Sequence, residues 1–255
     1  MSGREVDLNA DMGEGFGHYR LGDDALLDVV TSASIACGFH AGDPIVMRDT
    51  VAGAAQRGVA IGAHPGYPDL VGFGRRELAA TPEEIEAFVV YQVGALQGVC
   101  AAAGTRLRYV KAHGALYNRA ARDVAAADAI ARAVRSVDPS LALLGLAGSA
   151  MIGAAERAGI RSVSEAFVDR AYRGDGTLVP RSESGAVLTD VETVAERALR
   201  MVQSQSVSAA DGSVVSLRVE SLCTHGDGPR AAEIVSAVRW RLEEAGVIVT
   251  AFTRG

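Results

Sequence analysis

Eight short apolar runs, each followed by a stretch of helical periodicity, constrain this chain more than any other feature. The runs fall at residues 6–8, 35–37, 59–63, 107–110, 141–144, 160–163, 220–224 and 247–252. Helical patterns occupy the intervals, at about 24–30, 44–57, 82–103, 124–137, 149–158, 191–203 and 229–245. Thr81, Pro82 and Glu84 mark one helix start, with an N-cap hydroxyl, a proline at the first helical position and a glutamate at the third. Gly58, Gly104, Gly159 and Gly246 follow helical stretches, where C-caps fall. Alternation this regular implies a parallel sheet with crossover helices. Seven or eight such units in 255 residues match the size of a TIM-like (β/α) barrel; an open doubly wound sheet is the alternative. The expectation is one α/β domain over residues 1–255, with a small hairpin strand at 214–219 outside the main series. Aromatic residues make up only 5% against 49% hydrophobic, so Ala, Val, Leu and Ile must build the core, as buried parallel strands require.

The net charge of −6, with no basic run, argues against nucleic acid or an anionic membrane surface as partner. Cys37, Cys100 and Cys223 form no CxxC and are odd in number, which suits a reducing compartment better than a disulfide framework. The first residues hold no apolar segment of signal-peptide length, and no window approaches a membrane span. A cytoplasmic location with no membrane contact is the expectation. Among 25 basic residues Lys111 is the one lysine. A general surface cation in this chain is written as arginine, so Lys111 reads as chosen for a compact charge with a movable pKa. Asparagine is equally rare, at Asn9 and Asn118.

Parallel α/β folds carry their active sites on the loops that follow the strands. Here those positions hold Asp7, Asn9, Asp11 and Glu14 after the first run, and His40 with Asp43 after the second. His64, Tyr67, Asp69, Arg75 and Arg76 follow the third, and Lys111, His113, Tyr117 and Asn118 the fourth. The stretch 164–181 opens on the sixth and packs in Glu165, Asp169, Arg170, Tyr172, Arg173, Asp175 and Arg181; His225 and Asp227 follow the seventh. A histidine beside glycine is commonly just a satisfied structural residue, and 164–181 alone would pass for a solvated loop. All five histidines, the lysine and both asparagines lying after strands moves the balance towards a catalytic barrel mouth; His18 is the weakest of them. GFGRR could bind an anion through Arg75 and Arg76, but no segment fits GxxxxGK[ST]. Asp7, Asp11 and Glu14 could bind a divalent cation or act as acid and base. No HExxH or cysteine-rich zinc pattern occurs. A metal on Asp11, His64 and His113 would need the fold to gather distant residues, which spacing does not show.

Six blocks, DLNADMGEGFG, SIACGFHAGDP, GAHPGYPDLVGFGRRE, VKAHGALYN, EAFVDRAYRGDGTLVPRSE and CTHGD, span almost the whole chain in one order. In these the chain resembles the LamB/YcsF family, the A subunits of bacterial ATP-dependent 5-oxoprolinase. It departs from the family pattern mildly, with Ser34 in place of Asn, Ala112 in place of the usual Pro, and Gly228 where a larger residue is common. The resemblance implies an irregular TIM-like barrel of seven strands, akin to carbohydrate deacetylases, which would leave one of the eight runs outside, the last being the candidate. It also implies opening of the lactam of 5-oxo-L-proline to L-glutamate, driven by ATP hydrolysis in a complex with partner subunits B and C. ATP, with Mg2+, would then bind on the partners or in a site that is not a P-loop, and no permanent cofactor is expected. On this reading Asp11, Glu14, His64, Lys111, His113 and Glu165 form the catalytic set, with Lys111 and Arg170 holding a carboxylate or developing oxyanion. Asn9, His40, Arg75, Asp169, Arg170, Tyr172, His225 and Asp227 would contact substrate. Two other classes stay open: a stand-alone metal-dependent amidohydrolase or deacetylase, and a non-catalytic substrate-binding subunit.

Overall fold

In the computed structural model of the chain, residues 4–19, 22–224 and 230–253 are described. Strands β1 (Glu5–Met12), β2 (Ser32–Ala36), β3 (Ala60–His64), β4 (Tyr109–Val110), β5 (Ala142–Leu146) and β6 (Ser162–Phe167) pair in sequence order, all parallel. A hairpin of β7 (Ser206–Ser208) and β8 (Val214–Ser216) stands apart. Strand β9 (Ser221–Thr224) then pairs with β6 on one side and β1 on the other, closing a seven-stranded barrel. The eighth run is a strand too, β10 (Ile248–Val249), but it lies outside the ring. It pairs with Glu5 and Val6, which precede the β1–β9 register beginning at Asp7 and would otherwise present an open edge.

Helices α1 (Pro44–Gln56), α2 (Pro82–Ala102), α4 (Val124–Val137), α5 (Ala150–Ala158), α6 (Val191–Ser204) and α7 (Ala231–Glu244) take the expected places. At the start of α2 the Thr81 hydroxyl accepts from the Glu84 amide and the Glu84 carboxylate accepts from the Thr81 amide, closing the capping box. One further helix, α3 (Gly114–Arg122), begins directly behind the VKAH motif, where the sequence pattern predicts none. Against the expectation that no window approaches a membrane span, α2 is long and apolar enough to cross one by length and composition. The reason is its inner stripe, Ile85, Val89, Gln92, Val93, Leu96 and Cys100, which is buried, combined with alanine, valine and glycine on the outer face.

The main core fills the space between strands and helices, while a small second cluster of Tyr109, Ala142, Leu144 and Val163, backed by Phe252, plugs the barrel interior. Tyr109 crosses the barrel towards Ser34, their hydroxyls 3.1 Å apart. Its ring occupies the space a side chain would need at Gly62, the residue in register with it on β3. Near the base Asp7 accepts hydrogen bonds from Thr31, Ser32 and Ser221, so it braces strands rather than joining the acids at the mouth. Burial outweighs those hydroxyls and raises its pKa from 3.8 to about 6.

Two outcomes are expected. Gly62→Ala forces its methyl into the Tyr109 ring and lowers stability by about 3 kcal/mol or more, read from urea unfolding midpoints. For Asp7, a raised native pKa stabilises the fold while the acid is protonated and is lost as pH climbs through about 6. Relative to Asp7→Asn, the unsubstituted protein therefore loses stability on the order of 3 kcal/mol between about pH 4 and 6; a pH-independent difference between the two would show that Asp7 does not titrate there.

Candidate active site

Alternation along β1 sends Asp7, Asn9 and Asp11 to the barrel interior, in steps that rise from the base to the mouth. Lys111, just after β4, reaches the same axis. Its Nζ lies 2.8 Å from Asp11 Oδ1, 2.9 Å from Glu165 Oε1, 3.1 Å from Asn9 Oδ1 and 3.1 Å from Cys223 Sγ. Burial alone would favour losing the proton, but the carboxylates of Asp11 and Glu165 outweigh it and hold the Lys111 pKa well above its ordinary value. Lys111 is therefore a fixed ammonium. Burial raises the Cys223 thiol well above its usual range, which keeps it neutral beside that charge. Glu165 Oε1 also accepts from Asn9 Nδ2 at 2.9 Å, and Oε2 accepts from the Tyr117 hydroxyl at 2.8 Å.

Beside the ammonium stands a ring of three imidazoles around Glu14. His64 Nδ1 is 2.8 Å from the Lys111 carbonyl and His113 Nε2 is 2.8 Å from the Phe73 carbonyl. A carbonyl can only accept, so both of these nitrogens carry protons. The remaining nitrogens, His64 Nε2 and His113 Nδ1, face each other at 3.0 Å. Glu14 Oε1 lies 3.3 Å from His113 Nδ1, 3.3 Å from His40 Nε2 and 4.0 Å from His64 Nε2, and Asp11 Oδ2 lies 3.3 Å from His64 Nε2. One donor atom from each of Glu14, His40, His64 and His113 falls within 4.8 Å of all the others. His40 stacks flat on His113, with centroids 3.7 Å apart. Burial pushes His40 down to about 3 and depresses His113. At Glu14 burial opposes the charge, but the surrounding imidazoles prevail and hold the carboxyl below its usual range. The glycine-rich 72–76 loop folds over this ring. Gly74, at φ +63°, lies where a Cβ would strike His113 and His40.

A cavity of about 410 Å³ opens above these groups, within the size range of small-molecule sites. Its floor includes Asp11, Glu14, His64, Lys111 and His113, and its wall carries Arg75, Arg122, Arg170, Arg173 and Arg181. Five of the six residues expected in catalysis thus meet in one place. Glu165 does not reach the cavity, because both its oxygens are engaged beneath the floor by Lys111, Asn9 and Tyr117. Of the expected substrate contacts, Arg75 and Arg170 line the wall. Arg170 donates to the carbonyls of Ala186 and Val179, and burial brings its pKa down to about 10, leaving it charged. Asn9 sits under Lys111, and His40 is hidden behind His113. The Tyr172 hydroxyl accepts from the Phe167 amide at 2.8 Å, and Asp169 is buried away from the wall; neither faces the cavity. Arg76 turns outward to Asp69, which removes the paired arginine clamp. His18 is exposed and apart. His225 and Asp227 lie outside the described residues.

Tyr117, Arg122 and Arg181 line the cavity although they fall outside both the expected catalytic set and the expected substrate contacts. Tyr117 follows His113 by four residues and lies on its side of α3, a relation that becomes readable only once α3 is recognised as a helix.

The family model described as LamB/YcsF matches residues 6–255. The 5-oxoprolinase A subunit of Heliobacterium modesticaldum is 54% identical over 247 residues, covering 96% of this chain and 97% of that protein. Its counterpart in Mycolicibacterium gilvum is 55% identical over 249 residues, covering 97% and 99%. The crystal structure of a lactam utilization protein from Thermus thermophilus superposes with a TM-score of 0.92 at 51% identity, covering 97% of this chain and all of that one. With the family pattern running through nearly every strand end of a seven-stranded barrel, this chain belongs to the LamB/YcsF family.

Proposed function

We propose that this chain is the lactam-opening component of an ATP-dependent 5-oxoprolinase, acting with partner subunits B and C. The observation that carries the reading is the fixed Lys111 ammonium on the floor of an arginine-walled cavity. Support comes from the similarity to proteins named as the A subunits of 5-oxoprolinases. 5-Oxoproline joins a carboxylate to a neutral lactam. Arg75 and Arg170 suit the first; Lys111 and Asp11 suit attack on the second.

An unstrained five-membered lactam recloses readily because its amine stays beside the acid, an effective-molarity effect that opposes hydrolysis. Phosphorylation of the lactam oxygen by ATP, bound with Mg2+ on the partner subunits, relieves this. Water then adds to the ring carbonyl carbon and gives a proton to a carboxylate. The carbon–nitrogen bond breaks as the nitrogen takes a proton, and a second water releases phosphate to leave L-glutamate. Asp11 is the base of this reading, since Glu165 is sealed under the floor and Glu14 Oε1 is already ringed by imidazoles. Lys111 steadies the oxyanion, which means releasing one of its present partners; Asn9 Oδ1 and Cys223 Sγ, both 3.1 Å away and uncharged, are the easiest to give up. The histidine ring equally suits a metal-dependent amidohydrolase that needs neither ATP nor partners.

The deciding assay is glutamate formation from 5-oxoproline and ATP, with and without subunits B and C. The expected outcome is turnover only with ATP and both partners, falling about 100- to 1,000-fold in Lys111→Met. Because methionine leaves Asp11 and Glu165 without a counter-charge, melting temperature is followed alongside, and Asp11→Asn serves as a second variant of unchanged size. Full turnover in both folded variants would remove these residues from the chemistry, while turnover without ATP or partners would favour the stand-alone amidohydrolase.

A further inference from the structure

We infer that Glu14, His64 and His113 bind one divalent transition-metal ion at the edge of the cavity floor. The lone pairs of His64 Nε2 and His113 Nδ1 point at each other across 3.0 Å, because each ring has given its other N–H to a backbone carbonyl. Two acceptors at that separation repel unless a proton or a metal ion is held between them. Glu14 Oε1 adds a third electron-rich atom, 3.3 Å from His113 Nδ1 and 4.0 Å from His64 Nε2. Donors bound to a metal at about 2.0–2.1 Å sit roughly 2.9–3.4 Å from one another in octahedral or tetrahedral arrangements. Two of these three separations already fall in or near that range, and the third closes with a sub-ångström shift of Glu14.

The surroundings match a built site. A metal-bound histidine characteristically donates its far N–H to a carbonyl or carboxylate, and His64 and His113 both do. The carbonyl that holds His113 belongs to Phe73, a non-glycine residue kept at φ +54°, a conformation that costs energy and needs a reason. His40 fails the same test, since its Nδ1 is buried without a hydrogen-bond partner and the residue does not line the cavity. It supports Glu14 from behind instead of joining the ion. Three protein ligands with a face open to the cavity are the arrangement of a catalytic rather than a structural ion, and Asp11 Oδ2 borders that face, 3.3 Å from His64 Nε2. Two imidazoles and one carboxylate favour Zn2+, Co2+ or Mn2+ over Mg2+, which prefers oxygen. The ion is thus distinct from any Mg2+ that accompanies ATP.

The test uses the full chain, stripped with a chelator and titrated with Co2+ and Zn2+ alone. One equivalent of Co2+ should bind with a visible ligand-field spectrum, be displaced by Zn2+, and resist a large excess of Mg2+. His64→Ala, His113→Ala and Glu14→Gln should each weaken binding more than about 100-fold, and His40→Asn by only about 10-fold, with circular dichroism confirming the fold. Glu14→Gln keeps its size and serves if either alanine variant fails to fold. Absence of stoichiometric binding by the folded protein, or equal affinity in the folded ligand variants, overturns the site. Metal affinity is read without 5-oxoproline, ATP or partners, so this result stands or falls separately from the lactam reading.

Discussion

One buried ammonium holds the centre of this barrel together. Lys111 reaches across the axis from β4 and gathers Asp11 and Asn9 from β1, Glu165 from β6 and Cys223 from β9. Charges in such a place are tolerable only when each is answered, and removing one member of a buried set typically costs about 3–5 kcal/mol. The upper barrel is therefore polar by necessity: once the ammonium is inside, the carboxylates must follow, and Asn9 and Tyr117 must satisfy what the carboxylates leave over. Below this layer Tyr109 and its apolar neighbours close the interior.

The side chains that brace the barrel centre also line its cavity. Asp11 binds the lysine with one oxygen and approaches the imidazole ring with the other. His64 is held by the carbonyl of Lys111 itself, so the ammonium and the histidine ring are fixed by one short piece of backbone. A site assembled in this way is rigid, with each group oriented by another that is itself locked. The arginines above form a softer layer: among the described residues Arg122 and Arg173 pair through exposed ion pairs with Glu77 and Glu183, which contribute little stability and leave these cations able to adjust.

The strand order and the clustering of rare residues at strand ends were legible because both follow from local periodicity and the polarity of parallel sheets. Lys111 stood out by its rarity, and it is the hub. Depth was not legible. Glu165 and Asn9 carry the same functional groups as residues on the cavity wall, and only the tilt and closure of the barrel place them one layer too low, while Tyr172 joins the core outside the ring, under Arg197 of α6. His40 and His113 are 73 positions apart, and no spacing rule foretells that their rings stack. Helix α3 escaped because its first turn coincides with a polar motif that reads as loop. β10, the run expected outside the ring, is kept there because β9 occupies the place beside β1 from Asp7 onward.

The contact between Gly62 and Tyr109 bears on how such a barrel can change over generations. The tyrosine ring fills the space that a larger residue at 62 would need, so neither position is independent of the other. A side chain gained first at 62 meets the ring; a ring lost first at 109 leaves a void under the charged layer, of the kind that costs about 3–5 kcal/mol. Each single step is harmful, yet the two together restore a filled interior. Drift at this level of the barrel is therefore confined to paired steps at 62 and 109.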